Sequence, residues 1–366
     1  MRILVSFAII LSLGIAFSGC ITYIPCLSPP VVYPRIIPEQ GESRDSIVTH
    51  TFLFGDSEIT IAVPVDTTVY QGAQGARKTV TIYDEGIRDA EWKAGLYRTM
   101  IEDPAQDRFY SAFISALRRV KEERNLDSDQ YLELIAVCVQ SVPYKTVENH
   151  DPKYPLETFA DREGDCDDKS MLLAALLARE GYAAALLSFE PENHMAVGVA
   201  CPGYSYRDCG YAFLESTNVT LVGVSGGSLE GNVTLHSDPL VIPLGKGTIQ
   251  YTSCNETHSL WEEVERIRRE LELLAAELGE NEAELRRIHA DLDEMEIKTE
   301  RLKALGQVHD YNLLVSPYNN RVQVYNSLLA EYRSGSARQV SLANRYNFII
   351  THQHDRTGTY RTIFSR

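Results

Sequence analysis

The order of patterns along the chain predicts an α+β protein that ends in a long helical hairpin. One helix-forming stretch, residues 166–180, is followed by strand-like runs at 183–189, 194–200 and 211–216. That is the helix-then-antiparallel-strands order of an α+β fold, not the strict alternation of a doubly wound sheet. From Leu260 to Leu302 the apolar residues then fall on an alternating three-four spacing, the mark of a coiled-coil helix.

A length of 366 residues suits several units rather than one core. The expected division is an anchor at 1–25, a spacer at 26–46, a β-hairpin and helical lead-in at 47–126, a core at 127–255, the helical hairpin at 256–352 and a tail at 353–366. The net charge of -16 argues against nucleic acid as a partner, since displacing counterions from phosphates needs a basic face.

The first element reads Met1-Arg2, an apolar run from Ile3 to Phe17, then Ser18-Gly19-Cys20, the layout of an export signal. Cys20 after Ser-Gly resembles a lipobox and is the candidate lipidation site, although Phe17 stands where an aliphatic residue is usual. An uncleaved anchor helix, extended by Ile21–Ile24, or plain secretion are the alternatives. All three place the protein outside the cytoplasmic face, and the first two tether it to the membrane. Pro25, Pro29, Pro30, Pro34 and Pro38 then read as an extended spacer.

Alternation across Gly55-Asp56, with Phe52 and Phe54 on one side and Ile59, Ile61 and Val63 on the other, predicts a hairpin. Phe109, Phe113, Ala116, Leu117 and Val120 share one helix face. Asp127-Ser128 opens a second helix over 131–139. The helix from 166 stops at Gly181. In the last third, Leu260, Val264, Ile267, Leu271, Leu274, Leu278, Leu285, Ile288, Leu292, Met295 and Leu302 share one register, with Asn281 and Thr299 at its polar positions. A second register holds Tyr311, Tyr318, Tyr325, Tyr332 and Tyr346, with Val315, Val322, Leu329, Ala343 and Ile350 expected four residues further on. Gly306 and Pro317 separate the two, and Pro317 is expected in the first turn of the second helix. An antiparallel hairpin is the simplest arrangement; a partner helix from a second chain, through self-association, is the alternative. The polar residues 353–366 are expected to fray.

Of the seven cysteines, Cys138 lies in an apolar run and reads as a small buried hydrophobe. Cys201 and Cys209 bracket the turn-like Pro202-Gly203-Tyr204, so a disulfide between them suits an exported protein. Cys166 is different. It follows Gly164-Asp165 at the start of a helix, whose N-terminus favours a thiolate. His194 opens one strand-like run and Glu215 ends another, which supplies a base and an acid to orient it. Asp165, Asp167 and Asp168 complicate the thiol, because carboxylates beside it raise its pKa. Capping by Asp165 and first-turn charge are their expected roles. No CxxC or HxxxH pair supports zinc, and no metal is predicted.

The run YPLETFADREGDCDDKSMLLAALLAREGY, followed by NHMAVGV and YAFLEST, resembles the transglutaminase-like superfamily, in particular its exported archaeal and bacterial cysteine-protease branch. The resemblance covers residues 127–220, extends loosely back to the hairpin near residue 50, and leaves out the coiled coil. It implies a papain-like core in which Cys166, His194 and Glu215 match the catalytic positions, with Glu in place of the commoner Asp. It implies an oxyanion hole from the Cys166 N–H and an upstream donor, Gln140 with Tyr144 behind it. Calcium near Asp165, Asp167 and Asp168 is an alternative that it brings in. The implied activity is peptide or amide hydrolysis through a thioacyl-enzyme on a protein or peptide substrate. Acyl transfer from glutamine to an amine uses the same intermediate, and a catalytically silent scaffold acting through its coiled coil is the rival from another class.

Overall fold

A computed structural model of the chain describes residues 31–84, 86–146, 151–224 and 234–365. Cys20, the rest of the apolar leader and Pro25–Pro30 lie outside these. No helix among the described residues is long and apolar enough to cross a membrane. The protein is mixed helix and sheet, in two compact units. One reaches His258 and takes in Gln353–Gly358; the other is Ser259–His352 with the chain from Thr359.

In chain order the first unit begins with β1 (Val31–Val32), β2 (Asp45–Phe54), β3 (Ser57–Asp66), α1 (Thr67–Gly75), β4 (Thr81–Ile82) and α2 (Asp89–Ile101). It continues with α3 (Asp107–Arg124), α4 (Ser128–Gln140), α5 (Pro155–Asp161) and α6 (Cys166–Arg179), then β5 (Ala184–Phe189), β6 (His194–Val199), β7 (Ala212–Leu214) and β8 (Leu240–Leu244). The long helices are α7 (Cys254–Ala304) and α8 (Val308–Thr351), and α9 (Arg356–Phe364) closes the chain.

The predicted hairpin is β2 and β3. Gly55 turns it at φ +63°, a left-handed conformation that costs glycine little. Alternate residues Phe52, Phe54, Ile59, Ile61, Val63 and Val65 are buried, so period two puts one face on the core. Helix α4 starts where Asp127 caps it, accepting from Gln130 N at 2.8 Å while Gln130 returns a bond to Asp127 N.

The antiparallel sheet runs in the order β7-β6-β5-β8, with Leu186 opposite Val197, Val197 opposite Leu214 and Leu186 opposite Ile242. Both its faces are covered. Leu186, Val197, Val199 and Leu214 join the main core with the buried Leu172, Leu173, Leu176 and Leu177 of α6. Each such leucine contributes about 1.5–3 kcal/mol by burial. Leu187, Phe189, Ala196 and Phe213 form a smaller cluster on the other face, closed by Tyr206, Cys209 and Leu235.

Several expectations are corrected. From Val31 onward the proline-rich segment is not a free spacer. Val31 pairs with Ile82, Pro34 and Ile36 are buried, and the Ile36 N–H donates to the buried Asp103 at 2.9 Å. Cys201 bonds to Cys254, 53 residues on, and not to Cys209. The reason is sidedness: Cys201 belongs to the main core, whereas Cys209 packs against the cluster on the opposite face of the sheet. The tail does not fray either. Asp355 accepts from Gly358 N at 2.9 Å at the start of α9, and Arg356 is buried with its Nε 2.5 Å from Glu133 Oε1 and its Nη1 on Glu256. Glu133 also accepts the Tyr251 hydroxyl at 2.6 Å. Burial pushes the Glu133 carboxyl up to about 7 even though Arg356 and Tyr251 both pull it down.

In the second unit α7 and α8 are compatible with a coiled coil and run antiparallel. Glu263 pairs with Arg345, Glu270 with Arg338 and Asp291 with Arg321, so partners climb one helix as they descend the other. The α7 register stands: every position in it is buried or half-buried, Asn281 and Thr299 included. The α8 register stands in part: Val322, Leu329, Ala343 and Ile350 are half-buried as expected and Val315 is exposed, while the buried positions are Leu342 and Ile349, each one residue earlier than its expected neighbour. Gly306, at φ +67°, makes the turn alone, and Pro317 lies inside α8 rather than in its first turn.

Candidate functional site

The site is built at the start of α6. Asp165 caps the helix, its Oδ1 accepting from Asp167 N at 3.1 Å and Asp168 N at 3.2 Å. Asp168 answers through Oδ2 to Asp165 N and holds Lys153 N at 2.7 Å with Oδ1. These carboxylate oxygens are thus engaged by backbone donors, the capping role expected from the sequence. Among the described residues no group of three or more His, Cys, Asp or Glu side chains is placed to hold a metal ion. Gly164 is needed for closeness: a Cβ there would lie 2.8 Å from Asp168 Cβ and 2.9 Å from Thr158 Cγ2. Its N–H reaches Pro143 O and its carbonyl accepts from Lys145 N, which ties the loop before Cys166 to the chain leaving α4.

Cys166 is the first residue of α6 and is buried. Its thiol lies 3.9 Å from Asn193 O and 3.7 Å from Asp167 Oδ1, and the Met195 N–H points at the sulfur. The sulfur therefore rests against the main chain on both sides of His194. No hydrogen bond joins the thiol to the imidazole among the described residues. His194, the first residue of β6, uses Nε2 to bond Glu215 Oε2 at 3.1 Å, with both side chains buried. This leaves Nδ1 as the ring nitrogen available to take a proton. Glu215 follows β7 directly, and its other oxygen accepts from Ser216 N, Thr217 N and Thr217 Oγ1 at 2.8–2.9 Å. Burial works to raise the Glu215 carboxyl, but the His194 bond and the Thr217 donors outweigh it and hold it below its usual range.

The thiol is displaced the other way. Burial first, then Asp167 and Asp165, push Cys166 well above the ordinary thiol range, against the opposing pull of the Met195 N–H. The helix N-terminus contributes about 0.3–1 kcal/mol toward a thiolate, whereas full burial shifts such a group by up to ~3–5 pKa units. Burial wins, and the resting group is a neutral thiol, contrary to the thiolate expected from helix position alone.

Gln140 does not face the sulfur. Its Nε2 donates to Glu215 O at 2.8 Å and Thr220 O at 3.2 Å, and its Oε1 accepts from Thr220 N at 3.4 Å. The amide is thereby consumed in holding the segment after β7, and it positions Glu215 rather than serving as an oxyanion donor. Tyr144 pairs through its backbone with Gly164, two residues ahead of Cys166.

Lys169 was not anticipated. One turn along α6 from Cys166 and fully buried, its ammonium donates to Gln140 O, Val142 O and Thr217 O at 2.6–3.0 Å. It satisfies carbonyls at the end of α4 and binds that end, α6 and the Glu215 segment to one point. Its signal in the sequence is a lone basic residue among the apolar positions of α6. Ser170 adds bonds to Met195 O and Ser216 Oγ.

A cavity of about 270 Å³ opens beside His194, lined also by Lys93, Tyr97, Asp167, Ser188, Phe189, Glu190 and Asn193. A larger hollow of about 910 Å³, between the Val31–Glu39 segment and α1, has no cysteine or histidine among its described lining residues. The smaller cavity is the one of these two that borders His194. No family model, curated protein or solved structure matches the chain.

Proposed function

We propose that the first unit is a cysteine hydrolase of transglutaminase-like, papain-like architecture that cleaves peptide or amide bonds through Cys166, His194 and Glu215. The observation that carries this reading is the buried, hydrogen-bonded His194–Glu215 pair, with the neighbours of His194, Asn193 and Met195, lying against the Cys166 sulfur through their main chain. A helix with cysteine at its N-terminus, packed on an antiparallel sheet that supplies the imidazole and the acid, is what the sequence resemblance would require.

Glu215 accepts from Nε2–H and so keeps the lone pair on Nδ1. As the sulfur attacks the carbonyl carbon, Nδ1 takes the thiol proton, and the electron pair of the carbonyl moves to its oxygen. Collapse expels the amine, which leaves with that proton, and a thioacyl-enzyme remains. Water then adds with His194 as base, the carbon–sulfur bond breaks, and the proton returns to the thiol. A neutral resting thiol fits a base that acts during attack rather than a preformed ion pair. An amine in place of water would give acyl transfer by the same steps.

The Cys201–Cys254 disulfide fits an oxidising compartment and supports export. We accordingly place the protein outside the cytoplasmic face, tethered through its N-terminal segment, with α7 and α8 offered to a partner or a second copy. The test is to incubate the full-length protein with a peptide mixture and hydroxylamine, which intercepts thioesters. Hydroxamate products that vanish in Cys166→Ala are expected. Cleavage that persists in Cys166→Ala, or no captured acyl group from the unaltered protein, would overturn the reading.

A further inference from the structure

The cavity beside His194 contains two groups that the proposed chemistry leaves idle. Tyr97 of α2 is only 6% exposed, yet its hydroxyl lines the cavity with no hydrogen-bond partner among the described residues. The hydroxyl is not sealed from water but opens to the cavity, where a bound group could pair with it. Asp167 lines the same space with no ion pair among the described residues, its one side-chain contact being the weak thiol donor at 3.7 Å. The other charges in the wall cancel, because Lys93 Nζ is 2.7 Å from Glu190 Oε1. The space thus carries one uncompensated carboxylate, an unpaired hydroxyl and the ring of Phe189. At about 270 Å³ it lies just under the ~300 Å³ at which small-molecule pockets begin, a size for one side chain.

We infer that this cavity is a specificity subsite for a cationic side chain of the substrate, whose ammonium or guanidinium is held by Asp167 and donates to the Tyr97 hydroxyl beside the Cys166 thiol. The inference deepens the cysteine-hydrolase reading and rests on it for its meaning, while the binding itself rests on the cavity. An anionic group would meet Asp167 and Glu190 with Lys93 already engaged. A neutral aliphatic group would leave the Tyr97 hydroxyl and Asp167 desolvated and unpaired. A cation satisfies both and adds the faces of Tyr97 and Phe189. Burial, with Asp165 next, pushes Asp167 up to about 6, which marks a carboxylate short of a counter-charge. Filling the subsite also screens Asp167, which adds to burial in raising the thiol, so a matched substrate would ease its own attack.

The test uses the full-length Cys166→Ala protein and calorimetry, so that turnover plays no part. The probes are Nα-acetyl-lysine methylamide, its arginine counterpart and the uncharged norleucine counterpart. At pH 8 the better cationic probe is expected to bind about tenfold or more tightly than norleucine, and Asp167→Asn to erase the difference. Equal binding of all three, or a preference that survives Asp167→Asn, overturns the inference. Should that variant misfold, the same protein is titrated at pH 5. The groups facing the site are Asp165 on α6, Tyr97 and Lys93 on α2, and Glu190 and His194 from the β5–β6 side. Protonation of Asp167 removes attraction for a cation, so the preference must shrink, and one unchanged at pH 5 also overturns it. If the cations bind as expected while no thioacyl-enzyme forms in the unaltered protein, the hydrolase reading falls and the subsite stands.

Discussion

Replacing Arg356 with methionine should reveal what the end of the chain does for the first unit. The guanidinium is buried against Glu133, Glu256 and the Tyr251 pair, and Met keeps most of its length while removing the charge. Stripping one partner from a buried ion pair costs about 3–5 kcal/mol, because the other charge stays desolvated. The cost should depend on pH. The folded Glu133 carboxyl sits near 7 and its unfolded value near 4.5, so the folded state holds the proton more tightly. Stability is therefore greatest below 4.5 from this group and falls as pH rises through the window to 7. That span corresponds to ~3 kcal/mol. At pH 8 the variant leaves an ionised or forcibly neutralised Glu133 with Asp129 nearby, and the full penalty is expected. At pH 5 Glu133 is already neutral, can still bond Tyr251, and the penalty should shrink by more than about 1 kcal/mol. Urea unfolding read by the buried Trp92, on a Trp261→Phe background, isolates the first unit. A cost that is the same at both pH values, or under about 1 kcal/mol at pH 8, would refute the reasoning.

Three further outcomes are expected. His194→Gln should slow alkylation of Cys166 by iodoacetamide about 10²-fold, with the free Cys209 as the internal control; equal slowing at both cysteines would mean general loosening instead. Lys169→Met strands three carbonyls at about 1–3 kcal/mol each, so a loss of more than ~3 kcal/mol in urea unfolding is predicted, and a loss under ~1 would show that water replaces the ammonium freely. Cys201→Ser opens a 53-residue loop and should destabilise the first unit by about 4 kcal/mol on the chain-entropy estimate, a difference that disappears when both proteins are measured under reducing conditions.

What could be read from the sequence was local. The β2–β3 hairpin, the Asp127 and Asp165 caps, the stop of α6 near Gly181 and the three-four spacing of α7 depend on neighbours a few residues away. The same holds for the positions of Cys166 and His194 at the starts of their elements. What escaped was long-range. The choice of Cys254 for Cys201 depends on which face of the sheet each thiol occupies, and no spacing records that. Arg356 looked like tail because its partner, Glu133, lies 223 residues earlier. In α8 the tyrosine spacing marks the inner face, but which of two adjacent residues, Leu342 or Ala343 and Ile349 or Ile350, goes deepest depends on the packing against α7. Gln140 carries a suitable amide in the suitable stretch, but that amide is spent on Glu215 O and Thr220 O. Tyr97 had no motif at all; it reaches the site only through the packing of α2.

The bond between Cys201 and Cys254 encloses Glu215, the Gln140 clasp at Thr220 and strands β7 and β8 in a covalent ring. A protease that nicks the chain anywhere between those two cysteines therefore releases nothing. The two pieces would migrate as one species on a gel until a reductant is added, and the acid that orients His194 would remain attached on both sides of the cut. For a protein proposed to work outside the cell among other hydrolases, the ring makes a nick in this region survivable.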